Sequence, residues 1–339
     1  MKRFYPSNLV LRVNSRFSRD VCGYGQTKKP ERLSAAAVGA ALCLVLALMF
    51  PPFLSAQEEE FLQPPRDFRF SVAAAPFYQF EADIDGGGRL SIASYHFGAD
   101  VTKQLTRQMG IGLGVVYELD DYRFSGVKSI PVAKPWGEVQ RVGVNVPIFF
   151  ALSRQWRLMM VPTAQYSGEF GARFSDSIVY GGVVSATYAF GPDAYIGLGV
   201  GGFSNIEDFT VFPYVAINWP ITAKLRLCNT FPTSPAGPAG LRLSYAINQN
   251  WGVGIGGAYR LHRFRLDKDS AIPNGVGEYS RIPVFAHLSY NFTPDVMVNF
   301  YAGVSLSNKI KVQTPNGDDL FHTKHDPAPL VGLAIKANL

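Results

Sequence analysis

The chain has 339 residues, 47% of them hydrophobic and only 17% charged, with 33 Gly, 25 Phe and 16 Tyr, a composition that excludes a disordered chain. Its 32 Lys and Arg against 26 Asp and Glu give a net charge of +6. Residues 1–56 hold eight of the basic and two of the acidic residues, leaving 24 basic (32 less 8) and 24 acidic (26 less 2) for residues 57–339. The basic balance that would point to a nucleic-acid partner therefore disappears.

In chain order, 35–50 is an unbroken run of 16 apolar or small residues behind Lys28, Lys29 and Arg32 and ahead of Pro51 and Pro52. A basic flank, a short apolar run and the small residues Ser55 and Ala56 predict a signal peptide over 1–56, cleaved near Ala56/Gln57. A membrane anchor needs about 20 apolar residues, a length the prolines interrupt. Residues 57–66, with Glu58, Glu59 and Glu60, read as a periplasmic leader. Cys22 and Cys43 leave with the signal, so Cys228 has no partner for an intramolecular disulfide.

From 67 to 339 the pattern is alternation with period two. Met109, Ile111, Leu113, Val115 and Tyr117 share one face against Gly110, Gly112 and Gly114, and the same alternation recurs at 142–152, 178–190, 282–292 and 296–306. Strands are predicted at 68–81, 90–101, 109–119, 139–152, 156–167, 177–190, 194–203, 209–219, 224–231, 240–247, 251–265, 279–292, 296–307 and 329–339. Turns of about three residues, as at 153–155, 191–193, 248–250 and 293–295, alternate with longer connections, including 120–138, 266–278 and 308–328.

A soluble β-sandwich would share the alternation, but not the connection lengths. Five or six successive apolar positions on one face fit the roughly 9–11 residues that a tilted strand needs to cross a bilayer. Trp156, Trp219 and Trp251 stand beside short turns, where an aromatic girdle belongs. The fold class expected is all-β: a transmembrane antiparallel up-and-down β-barrel over 67–339, of about 14 strands (12–14), in the outer membrane of a diderm bacterium. Pro76, Pro147, Pro162, Pro213 and Pro283 fall inside predicted strands and are expected at bulges or strand ends.

Parity places Arg69, Arg141, Arg157, Arg226, Arg242, Arg260, Arg281 and Lys336 inside the barrel, against Glu81, Asp100 and Glu118, with His96, His262 and His287 beside them. Fixed cations within low-dielectric walls predict a passive channel for small hydrophilic solutes that prefers anions. A structural or surface-interaction barrel plugged by 120–138 and 308–328 is the alternative. A lipid hydrolase built on His287, Ser289 and Asn291 is third, weakened because side chains two apart on a strand are about 6.6 Å apart. The glycine runs at 110–114, 197–201 and 252–256 lie within strands rather than at a strand-to-helix turn, so they read as relief of lumen crowding and not as nucleotide loops. Asp318, Asp319, His322, His325 and Asp326 read as a solvated loop. The expected partners are outer-membrane lipids, the barrel-assembly machinery and small solutes or anions, with no cofactor.

The strand series, the YELDDYRFSG segment at 117–126 and the CNTFPTSPAGPAGLRLSYAINQNWGVGIGGAY segment at 228–259 resemble a porin-like family of bacterial outer-membrane barrels classed as a domain of unknown function. The likeness covers most of 65–339. It implies the barrel and its membrane, and brings no known reaction.

Overall fold

The computed structural model describes residues 68–127, 134–191 and 193–339, so the segments expected to be signal peptide and leader lie outside the described residues. Alternating faces favour extended chain, and seventeen strands form a single sheet. In order they are β1 (Arg69–Asp83), β2 (Arg89–Gln104), β3 (Met109–Ser125), β4 (Glu138–Asn145), β5 (Ile148–Ala151), β6 (Trp156–Glu169), β7 (Ile178–Gly191), β8 (Ala194–Asn205) and β9 (Asp208–Pro220). There follow β10 (Leu225–Asn229), β11 (Leu241–Ala246), β12 (Trp251–Gly257), β13 (Arg260–Arg265), β14 (Val276–Asn291), β15 (Val296–Gln313), β16 (Asp319–His325) and β17 (Ala328–Asn338). The pairs β4/β5, β12/β13 and β16/β17 are single crossings interrupted once, which makes fourteen. The sheet closes where β17 returns to β1 through Ala73↔Lys336 and Phe77↔Gly332.

Closure leaves the outer face free to be apolar. Tyr95, Phe97, Leu113, Val115, Val142, Val144, Ile196, Leu198 and Phe300 are exposed on it. On β3 the outward apolar run extends from Met109 to Leu119 and stops at the outward Asp121–Arg123 ion pair, 2.9 Å long. Trp156, Trp219 and Trp251 stand exposed next to the inner turns. A closed sheet with such a belt satisfies its backbone internally and presents only hydrocarbon to lipid. The protein is an outer-membrane β-barrel of a diderm bacterium.

The prolines sit where ladders lapse. Pro147 and Pro162 flank the β4/β5 interruption, where the Val146 amide donates to the Pro162 carbonyl at 3.0 Å. Pro283 lies opposite the β12/β13 interruption, and Pro76 falls in the gap between Ala74↔Ile335 and Phe77↔Gly332. The predicted connection 308–328 is corrected: β15 continues to Gln313, β16 occupies Asp319–His325, and only 314–318 turns. Above the membrane the outward face becomes polar, as at Lys309 and Lys311, so the apolar belt that marks a strand in the sequence ends before the strand does.

Candidate functional site: the barrel interior

In the inner half, five cations, Arg69, Arg157, Arg226, Arg242 and Lys336, lie on the lumen face among the described residues, against two carboxylates, Asp100 on the same face and Asp295 of the 293–295 turn at the inner mouth. Ser71 Oγ donates to Asp100 Oδ1 at 2.7 Å and Arg226 Nη1 to Asn218 Oδ1 at 3.0 Å. Arg242 lies 3.7 Å over the Phe231 ring and directs Nε at Cys228 Sγ, 3.2 Å away. A 620 Å³ cavity at the inner mouth is lined by residues that include Arg69, Asp100, Thr102, Asp295, Lys336 and Asn338. The glycine faces make room for lumen side chains: a Cβ on Gly254 would stand 2.5 Å from His287 Cε1, and one on Gly114 would stand 2.6 Å from Asn145 Oδ1.

The outer half is built differently. Beyond Tyr166↔Ile178, β6 parts from β7; its end pairs with β4 on one side and, on the other, in parallel with β13 through Arg265↔Gly168. The interior is thus pinched to nine segments: β1, β2, β3, β4, β6, β13, β14, β15 and β16. A barrel of about eight strands is filled by its own side chains. Eleven buried residues fill this one, among them Leu90, Ile92, Tyr122, Phe264, Leu266 and Trp136. The Trp136 indole meets Tyr122, Phe124 and Phe264 edge-on, at centroid separations of 5.7, 5.6 and 5.1 Å.

Beside this core lies a buried ionic cluster. Arg141 pairs with Glu118 and lies 3.5 Å from Asp120; Arg260 is 3.7 Å from Glu118, and His262 Nδ1 is 3.3 Å from Asp120. Arg281 Nη1 donates to Gln79 Oε1 at 3.1 Å, and Gln79 Nε2 to Tyr279 Oη at 3.0 Å. The lumen residues read from the sequence therefore divide: Arg141, Arg260, Arg281 and Glu118 gather here, while Arg69, Arg157, Arg226, Arg242 and Lys336 stay in the inner half. Asp120 was missed although it shares Glu118's parity, because the predicted strand ended at 119. Arg263 and Arg265 were also missed. They tie β13 to the β8–β9 turn, Arg263 Nε donating to the Ile206 carbonyl at 2.6 Å and Arg265 Nη2 reaching Glu207 Oε1 at 2.8 Å.

The family model described as Domain of unknown function (DUF6268) matches residues 134–338. The chain belongs to that family. A comparison with curated proteins finds no match. Among solved structures, the DUF6268 chain is similar to the COG4313 outer membrane channel from Pseudomonas putida F1, at 11% identity over 84% of this chain and 100% of that one, TM-score 0.46. It is also similar to the P. putida toluene transporter TodX, at 9% identity over 81% and 91%, TM-score 0.41. A third likeness is to the NanC porin, at 11% identity over 79% and 100%, TM-score 0.33. These likenesses are distant.

The remaining sequence candidates are dispersed in the DUF6268 barrel. His287 lies beside the Tyr301 ring at 6.1 Å, and Ser289 stands over Gly252. Among the described residues no group of three or more His, Cys, Asp and Glu is placed to hold a metal ion. Asp319 pairs with Lys311 at 2.8 Å, while His325 turns away and stacks on Tyr279 at 5.8 Å.

His325 lies beyond the membrane belt, opposite Asn308 and past the outward apolar run of β15 that ends at Leu306. The Asp326 carbonyl can only accept, so Nδ1 carries the proton at 2.8 Å and Nε2, 2.9 Å from Tyr279 Oη, accepts from that hydroxyl. Burial, with the charge of Arg281 adding to it against the pull of the Asp326 carbonyl, pushes its pKa down to about 4. The unfolded chain would take up the proton first, near pH 6.5. The stability this neutral ring represents is therefore complete above that pH and is lost as pH falls through 4, by on the order of 3 kcal/mol. Protection factors of the amides at 319–325, which correct for the pH dependence of intrinsic exchange, should fall between pH 7 and pH 4; protection that falls equally in His325→Gln would contradict this role.

Proposed function

We propose that this barrel is a passive outer-membrane channel for small hydrophilic solutes with a preference for anions, held shut at its outer end in the conformation described. The observation that carries the reading is the inner vestibule, with five cations against the two carboxylates Asp100 and Asp295 on a face cleared by glycine. Low-dielectric walls focus the field of such charges along the axis. Lipids on the outward belt and the machinery that inserts barrels are the partners this reading implies.

The test is the reversal potential of purified, refolded protein in planar bilayers under a KCl gradient. Chloride should be more permeant than potassium. Arg69→Glu with Arg226→Glu, both at exposed positions, should weaken or invert the preference, most strongly near 10 mM salt, where the Debye length is about 30 Å. A cation preference in the unmutated protein would overturn the anion assignment. A structural or surface-interaction barrel is the second reading, favoured by the core of eleven buried residues across the outer half. No conductance across repeated insertions would establish it over the first.

A further inference from the structure

The outer wall contains two strand edges that are nearly bare. β9 pairs with β10 only at Asn218, Trp219 and Pro220, because β10 and β11 are five and six residues long beside a β9 of thirteen. The next groups on that edge are covered by the Asn229 side chain, whose Oδ1 accepts from the Ile217 amide at 2.8 Å and whose Nδ2 donates to the Val215 carbonyl at 2.8 Å. Pro213 has no N–H to leave unpaired, and the Phe209 amide is taken by Asp208 Oδ1 at 2.7 Å. By the strand's alternation Val211 faces the same open side. An Asn, a Pro and an Asp blunt parts of this edge, and the stretch around Val211 between them is left without a strand partner.

The second edge belongs to β13. On the side away from β14 it is held by the single parallel pairing Arg265↔Gly168 and by Ser167 Oγ, which donates to the Arg263 carbonyl at 2.8 Å. Just past its end, the Asp267 amide donates to Glu169 Oε2 at 2.9 Å. A 620 Å³ cavity lined by Phe209, Val211, Tyr259, Leu261, Arg263 and Glu278 separates this strand from β9. β9 runs inward and β13 outward, so the two edges are antiparallel, the stronger pairing geometry. The two residues between β12 and β13, Ala258 and Tyr259, lie outside both strands and supply a hinge.

Resting on the channel reading, we propose that β13 is the gate: it swings from β6 to the open edge of β9. The outer interior then widens from nine segments to twelve as β7, β8 and β9 rejoin the wall, and the filled pinch opens. The closed arrangement carries a cost that opening relieves. Among the described residues, His96 through both ring nitrogens, Asp120 Oδ1, Arg260 Nη1, His262 Nε2 and Arg281 Nε are buried with no protein hydrogen-bond partner, and water entering on opening would satisfy them. Burial of Phe264 and Leu266 in the core opposes the movement and keeps the gate shut at rest.

Two cysteine pairs test the gate, with Cys228→Ser and without Cys22 and Cys43. Gly168→Cys with Arg265→Cys fixes β13 to β6: oxidation should lower conductance at least tenfold, and dithiothreitol should restore it. Val211→Cys with Leu261→Cys should cross-link although a cavity now separates the two positions, and the cross-linked form should stay open. Locked 168–265 protein that conducts like its reduced form overturns the gate and leaves the channel standing, as does a 211–261 pair that never cross-links in a conducting protein. If no form conducts, the channel reading fails, and cross-linking at 211–261 alone decides whether β13 moves. Should the Arg265 substitution prevent folding, spin labels at Val211 and Leu261 replace that pair: two distance populations are expected, and one overturns the proposal.

Discussion

Trp136→Ala should cost the folded barrel about 3–5 kcal/mol and raise its conductance. The residue is 2% exposed and lies between Tyr122, Phe124 and Phe264 in the plug that fills the outer half. Its Nε1 has no hydrogen-bond partner among the described residues, so truncation sacrifices chiefly packing. The void it leaves lies against Tyr122 and Phe264, each two residues along its strand from Asp120 and His262 of the ionic cluster. A stability loss measured by denaturant titration in detergent should therefore coincide with larger or more frequent single-channel openings. Lower stability with unchanged conductance would mean that the core supports the wall without blocking the path.

The second large effect is expected at Arg141. Arg141→Met leaves Glu118 and Asp120 without the cation that both share. Removing one partner from a buried pair costs about 3–5 kcal/mol, because the carboxylates left behind lose their shared counter-ion in a buried site where, among the described residues, only Arg260, 3.7 Å from Glu118, remains as a cation. Glu118→Gln added to Arg141→Met should recover part of that loss, with a coupling above about 1 kcal/mol in a double-mutant cycle of unfolding free energies. The exposed Arg89–Glu81 pair at 2.9 Å makes the contrast: Arg89→Ala should change stability by less than about 1 kcal/mol. Strict additivity at Arg141 and Glu118 would contradict the cluster.

The wall was legible because the pleat has a period of two and lipid demands an apolar residue at every second position. Each of the fourteen predicted strands falls on an observed crossing, and Pro147 with Pro162, and Pro283, fall at interruptions. The pinch was not legible. Alternation tells which face a side chain takes within a wall, but not which strand lies beside it, and β13 keeps its alternation while leaving its place in the wall for β6. Its faces, Arg263 and Arg265 on one side and His262, Phe264 and Leu266 on the other, are both buried, which a strand lining a wide lumen would not require. Trp136 was hidden in a predicted connection. The structure has Arg141, Arg260 and Arg281 inside, but parity could not reveal that Glu118 and Asp120 stand against them, so the cationic excess is concentrated in the inner half.

The central claim is that the inner mouth of the barrel is wet and its outer half is dry. Single-cysteine variants exposed to a charged, water-soluble methanethiosulfonate test this directly. Thr102→Cys, at the inner vestibule, should react rapidly, while Ile92→Cys, at a core position 1% exposed and paired with Tyr122, should resist the reagent in the folded barrel. Equal reaction rates at the two positions would contradict a closed outer half.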